Sequence, residues 1–102
     1  MTEYQTGRFT ARDAEALVGR TADITEWDGD EFERKITYPG ATVTGIIDKL
    51  GYLNIRTSGA MVTDAATGAY LTDRPAEEDW NVSFSSICEV TNVRDLQARR
   101  RL

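Results

Sequence analysis

The sequence predicts a mainly β fold, a small antiparallel barrel of five to seven strands preceded by one short N-terminal helix. Apolar residues recur at every second position through most of the region from 21 to 93, the period of half-buried strands. Glycine, proline, aspartate and serine clusters interrupt that pattern at short intervals, as turns between strands do. The 102 residues, 40% hydrophobic and 28% charged, suit one core and are too few for two. The expected organisation is therefore a single domain over 1–102, with a helix over 10–19, the barrel over 21–93 and a basic tail over 94–102.

Thr10 is a good N-cap for ARDAEALVG, in which Ala11, Ala14, Leu17 and Val18 recur at helical spacing, Asp13 takes the third helical position and Gly19 ends the run. A helix this short is marginal alone, so its Leu17/Val18 stripe must dock on one open end of the barrel. From residue 21 the period becomes two. Ala22 and Ile24, then Phe32, Ile36 and Tyr38, mark two half-buried strands joined by Asp28-Gly29-Asp30-Glu31, and Pro39-Gly40 is expected to reverse the chain. Val43, Gly45 and Ile47 then share one face, and Asp48-Lys49-Leu50-Gly51 turns into YLNIRT with Leu53 and Ile55 inward. Gly45 in mid-strand marks a bend or bulge of the kind that curls a small sheet. Ser58-Gly59 is the next break. The stretch from Met61 to Asp73 reads as a hairpin with Gly68 in the left-handed position of its loop. After the polar connection DRPAEED, Trp80, Val82 and Phe84 alternate with Asn81, Ser83 and Ser85, the cleanest strand signal in the chain. ICEVTNV forms a last strand, and VRDLQARRRL reads as a fraying helix or tail.

A short helix followed by about five consecutive strands, the last two separated by a tight turn, resembles the small SH3-like and Sm-like β-barrels. LVGR, GATVTGIIDKLGYLNI and FSSICEV carry the resemblance, which spans roughly residues 10–93. It implies a barrel with a single helical turn, Ser85-Ser86-Ile87, between the final strands. It does not extend to RNA binding. Sm-like proteins that bind RNA carry Asp-x-x-x-Asn in the third strand and Arg-Gly in the fourth, whereas Asp48 and Asn54 are spaced differently and no Arg-Gly follows Phe84.

Composition narrows the chemistry. Cys88 is the sole cysteine and there is no histidine, which removes disulfides, Cys/His zinc sites and His-activated nucleophiles. The expectation is a binding protein with no catalytic residues, no cofactor and no metal. Neither a signal-peptide layout nor an apolar run of membrane-spanning length is present, which predicts a cytoplasmic protein with no membrane partner. Net charge is −5, but residues 94–102 carry +3, leaving −8 on the rest. A body of that sign repels nucleic acid and favours basic protein partners. Ten arginines against two lysines, with plentiful Ala, Thr and Asp, match a GC-rich coding sequence such as an actinobacterium or its phages use.

Three candidate surfaces follow. The leading one is an interaction module, binding a partner protein through Trp27, Asp28, Asp30, Glu31 and Tyr70, or pairing edge strands with further copies of itself. Six carboxylates between Asp23 and Glu33 also suggest an oxygen-ligand site, but Gly29 falls in the wrong place for an EF-hand loop, and the run reads as a solvated acidic turn. A second surface is a ligand pocket at the barrel end lined by Tyr52, Arg56 and Tyr70, where a guanidinium meets a nucleotide phosphate or a metabolite carboxylate. The third is the tail, where Arg99, Arg100 and Arg101 contact nucleic acid. Cys88 is expected to be a small buried hydrophobe, and Trp80 a core residue.

Overall fold

The computed structural model describes residues 2–3, 8–29, 31–47, 49, 51–75 and 79–95. They form one antiparallel sheet of eight strands and one short helix. In chain order these are β1 (Thr2–Glu3), α1 (Ala11–Leu17), β2 (Arg20–Trp27), β3 (Arg34–Ile47), β4 (Tyr52–Arg56), β5 (Ala60–Asp64), β6 (Tyr70–Arg74), β7 (Asp79–Ser83), the 3-10 turn η1 (Phe84–Ser86) and β8 (Ile87–Asp95). The predicted mainly β chain with one short helix is what the structure shows.

Thr10 caps α1 through a reciprocal pair: its hydroxyl accepts from the Asp13 amide at 3.3 Å, and the Asp13 carboxylate accepts from the Thr10 amide at 2.8 Å. Such a cap stabilises a helix by about 1 kcal/mol. The buried stripe is Ala14 and Leu17 rather than Leu17 and Val18. The helix stops at Leu17, so Val18, already extended, turns outward. Gly19 then adopts φ +81°, which a residue with a Cβ rarely tolerates, and donates its amide to the Val43 carbonyl at 2.9 Å. That bond ties the helix exit to the sheet.

β3 is the spine of the sheet. β2 runs along one side of it, while β5 and then β4 share the other: Ile36 lies between Glu26 and Val62, and Thr42 between Thr21 and Arg56. β6 flanks β5, β7 flanks β4, and β8 flanks β2 with β1 outside it. Among the described residues the β6/β7 edge does not pair with the opposite edge, so the sheet curls without closing.

Pro39-Gly40 does not reverse the chain but forms a bulge inside β3. Ala22 pairs with Ala41 and Ile24 with Tyr38, which leaves Asp23 opposite both Pro39 and Gly40. A bulge is where a strand tolerates proline, since no ladder amide is lost. A second bulge lies one residue away on the other side, where Ala22 stands opposite both Asn92, at φ +54°, and Val93 of β8. One carboxylate holds both: Asp23 Oδ1 accepts from the Gly40 amide and Oδ2 from Asn92 Nδ2, each at 2.7 Å. The predicted irregularity at Gly45 is a third bulge, because Val43 pairs with Ile55 and Gly45 with Asn54. The inserted Thr44 inverts the alternation beyond it, so Ile46 packs on the core while Ile47, expected inward with Val43, is exposed.

Ile24, Val43, Leu53, Ile55, Val62, Val82 and Ile87 are fully buried, each contributing about 1.5–3 kcal/mol on transfer from water. Phe9 meets Phe84 edge to face at 5.4 Å, adding a residue ahead of the helix to this core. Trp80 and Phe84 are partly buried against it. Phe32, expected inward, sits at φ +57° in the β2–β3 loop and is 49% exposed. The helical turn before the last strand is Phe84–Ser86, one residue earlier than expected, and Arg94 and Asp95 belong to β8 rather than to a tail. Cys88 is buried, its thiol donating to the Thr25 carbonyl at 3.5 Å. No helix among the described residues is long and apolar enough to cross a membrane.

Replacing Asp23 with alanine removes the acceptor for both bulges and is expected to cost about 2–3 kcal/mol in urea unfolding. Asp79→Ala, which removes an exposed carboxylate 3.3 Å from Arg56, is expected to cost less than about 1 kcal/mol.

Candidate functional site

The most open part of the sheet is the β5–β6 hairpin. Its loop is set locally: Asp64 accepts from the Thr67 amide at 2.8 Å and from its hydroxyl at 2.9 Å, and Gly68, at φ +75°, returns the chain to the Asp64 carbonyl. These bonds hold the Asp64 carboxyl below its ordinary range. All five residues of β6 are exposed, and among the described residues the strand has a neighbour on one side only, β5. Leu71 is bulged out of that pairing, since Val62 faces Thr72 and Thr63 faces Tyr70. Tyr70 (59% exposed), Leu71 (48%) and Met61 (39%) give the hairpin an apolar surface. The Asp73 carboxylate takes the Tyr70 hydroxyl hydrogen and raises the phenol above its usual value.

Beside the hairpin lies the acidic β2–β3 loop, joined to it by the bond from the Ala65 amide to the Glu33 carbonyl at 2.9 Å. Trp27, expected as an exposed anchor, is partly buried and is occupied by its own neighbours. Phe32 meets its ring at 5.1 Å and 90°, and Lys35 Nζ lies 4.9 Å from its centroid. Asp28 is likewise engaged, with Arg74 at 3.2 Å and Arg34 at 3.7 Å from the same oxygen. Glu31 is exposed beside Glu33, while Asp30 lies outside the described residues. Among the described residues no three His, Cys, Asp or Glu side chains gather as metal ligands would.

The ligand pocket expected from Tyr52, Arg56 and Tyr70 is not assembled. Tyr52 and Arg56 stand at opposite ends of β4, and Tyr70 begins β6, which pairs with β5 instead. Arg56 Nε donates to Asp79 Oδ1 at 3.3 Å, a cross-strand ion pair. A groove of about 460 Å³ does lie where β5 and β6 meet the Pro39 bulge, with Ser58, Met61, Asp73, Arg74 and Pro75 on its walls, and it includes none of those three residues. Arg99, Arg100 and Arg101 lie outside the described residues.

One constellation escaped the reading of the sequence. Glu26 is an inward position of β2, in step with Ala22 and Ile24. Its Oε2 accepts from the Tyr38 hydroxyl at 2.5 Å, and its Oε1 from Ser86 Oγ at 3.0 Å. Burial, opposed by those two bonds, pushes the Glu26 carboxyl above its ordinary range, and burial together with the Glu26 carboxylate raises the Tyr38 phenol further. The signal was available: in TADITEW the two-residue period puts a carboxylate where an apolar side chain belongs.

No protein-family model, curated protein or solved structure matches this chain.

Phe32→Ala is expected to uncover the Trp27 indole and shift its emission to longer wavelength, while costing about 1 kcal/mol or less, since only one partly exposed ring contact is lost.

Proposed function

We propose that this protein is an acidic interaction module of the small SH3-like barrel kind, which captures a basic, extended segment of a partner protein along β6. The carrying observation is that β6 is exposed along its whole length and, among the described residues, pairs on one side only, which leaves its other side for an added strand. Tyr70, Leu71 and Met61 supply apolar contact beside that edge, and amphipathic aromatic side chains of this type are enriched where binding energy concentrates. Charge favours a basic occupant. Asp64, Asp73, Glu31 and Glu33 surround the hairpin, and the chain carries −5 overall.

The barrel assignment has topological support. Counting β4 with β5 and β6 with β7 as single bent ranks, the sheet runs fifth, first, second, third, fourth, with a 3-10 turn before the fifth. A short helix, five ranks and a helical turn before the last are the features on which the resemblance to SH3-like and Sm-like barrels rests. The absence of a family match leaves the choice of partner to chemistry alone.

A random peptide display selection against the protein tests this reading. Enriched peptides are expected to alternate lysine or arginine with β-branched residues, to bind more weakly as salt rises, and to lose about tenfold or more in affinity to a Tyr70→Ala/Leu71→Lys variant. Both side chains are exposed, so the variant should keep the wild-type circular dichroism spectrum. A selection without enrichment, equal binding to the variant, or a wild-type dimer that the variant dissolves in sedimentation would each overturn it, the last by assigning the edge to a second copy.

A further inference from the structure

We propose that the groove at the end of the β5–β6 hairpin is the subsite that takes a lysine or arginine side chain of the segment bound along β6, with Asp73 as the residue that selects it. This subsite presupposes the docking of a segment along β6, and it fixes which position of that segment must be cationic. The groove, of about 460 Å³, is lined by the last two residues of β6 and by the residues that face them from β5 and the Pro39 bulge. Its walls are of two kinds. Pro39, Met61 and Pro75 are apolar, and Met61 is exposed. Asp73 and Arg74 bring opposite charges.

The two charges are not equivalent. Arg74 Nη2 lies 3.2 Å from Asp28 Oδ2, so its charge already has a carboxylate within the protein. Among the described residues no cation lies within ion-pair distance of Asp73. Its carboxylate accepts from the Tyr70 hydroxyl, which leaves acceptor sites for a further donor. An anion entering the groove would compete with Asp28 for Arg74, whereas a cation would meet a carboxylate whose charge nothing nearby offsets. Lysine and arginine suit both walls, because their methylene stems lie along apolar surface while the charged head stays at the polar end. Register directs such a side chain into the groove. Met61 and Asp73 stand directly opposite each other in the β5–β6 ladder, so their side chains share one face. A strand added on the other side of β6 places the residue opposite Asp73 on that same face. The Leu71 bulge puts Tyr70, opposite Thr63, on this face as well, so a neighbouring residue of the same segment meets the phenol ring. The cation and the aromatic contact are thus read from one side of the bound strand, and Asp73 sets its register.

Display selections from one random peptide library, run in parallel against the wild-type protein and Asp73→Lys, test this subsite. The wild-type pool is expected to carry lysine or arginine at one fixed position relative to its apolar residues. The Asp73→Lys pool is expected to carry aspartate or glutamate at that position, with the apolar residues unchanged. Asp73 is exposed, so the variant should keep the wild-type circular dichroism spectrum. Asp73→Asn, which keeps the size and shape of the side chain, should bind a lysine-containing peptide from the wild-type pool about three- to tenfold more weakly at low salt, and the difference should shrink as salt rises. A basic position retained in the Asp73→Lys pool, or equal binding by Asp73→Asn, would overturn the subsite. Docking along β6 would survive either result as long as Tyr70→Ala/Leu71→Lys still lost affinity. A wild-type pool without enrichment would overturn both.

Discussion

The structure depends on the ability of β3 to bend. A fourteen-residue strand can be shared by β2 on one side and by both β4 and β5 on the other only if its direction and facing change along its length. The insertions at Pro39-Gly40 and at Thr44 provide those changes. The first is held in place by Asp23, which binds it and the matching insertion in β8 with two charge-assisted hydrogen bonds. Without such a clasp, a slip of one residue in either pairing would turn every inward side chain of the neighbouring strand toward water. The hydrophobic core is therefore a consequence of a specified register, and a polar side chain specifies it.

The same bending leaves the third and fourth ranks of the sheet split into pairs of short strands. β4 and β7 stay over the core, where Leu53, Ile55 and Val82 are fully buried. β5 and β6 project past it, and only Ala60 and Val62 reach inward. A hairpin that buries so little is held by the pairing of β5 with β3, by its own turn chemistry from Asp64 to Gly68, and by its bond to the β2–β3 loop. Exposure of β6 and attachment to the acidic loop thus have one cause, the projection of this hairpin beyond the core. That gives the proposed binding edge its apolar strip and its negative surroundings together.

Inside the sheet, the opposite balance holds. Glu26 lies where the alternation calls for an apolar residue, and two hydroxyls meet it there. A buried carboxyl with satisfied oxygens adds little net stability, because desolvation offsets the bonds it makes. What it adds is a side-chain connection from β2 to Tyr38 of β3 and to Ser86 of η1.

Much of this was legible in the residues alone. The two-residue period located β2, β4 and β7, the cap at Thr10 located α1, and Gly68 located the hairpin turn, because each of these depends on neighbours within a few positions. Gly45 was recognisable as an irregularity, but not its effect on Ile46 and Ile47, and Pro39-Gly40 was read as a reversal because a bulge and a turn use the same residue types. Tyr70 was legible as exposed from its place beside the loop. Trp27 was not legible as occupied, because its partner comes from the loop that follows it, and although a cross-strand carboxylate was an expected partner for Arg56, its identity as Asp79 was not legible, because that strand lies more than twenty residues away. The amino-acid order by itself determined the secondary structure, the acidic body and the absence of histidine chemistry. Only the tertiary structure decided that Asp23 clasps two bulges, that Glu26 faces inward onto Tyr38 and Ser86, and that β6 pairs on one side only among the described residues. Pairing partners are chosen by register across the whole sheet, and register is a property of no single segment.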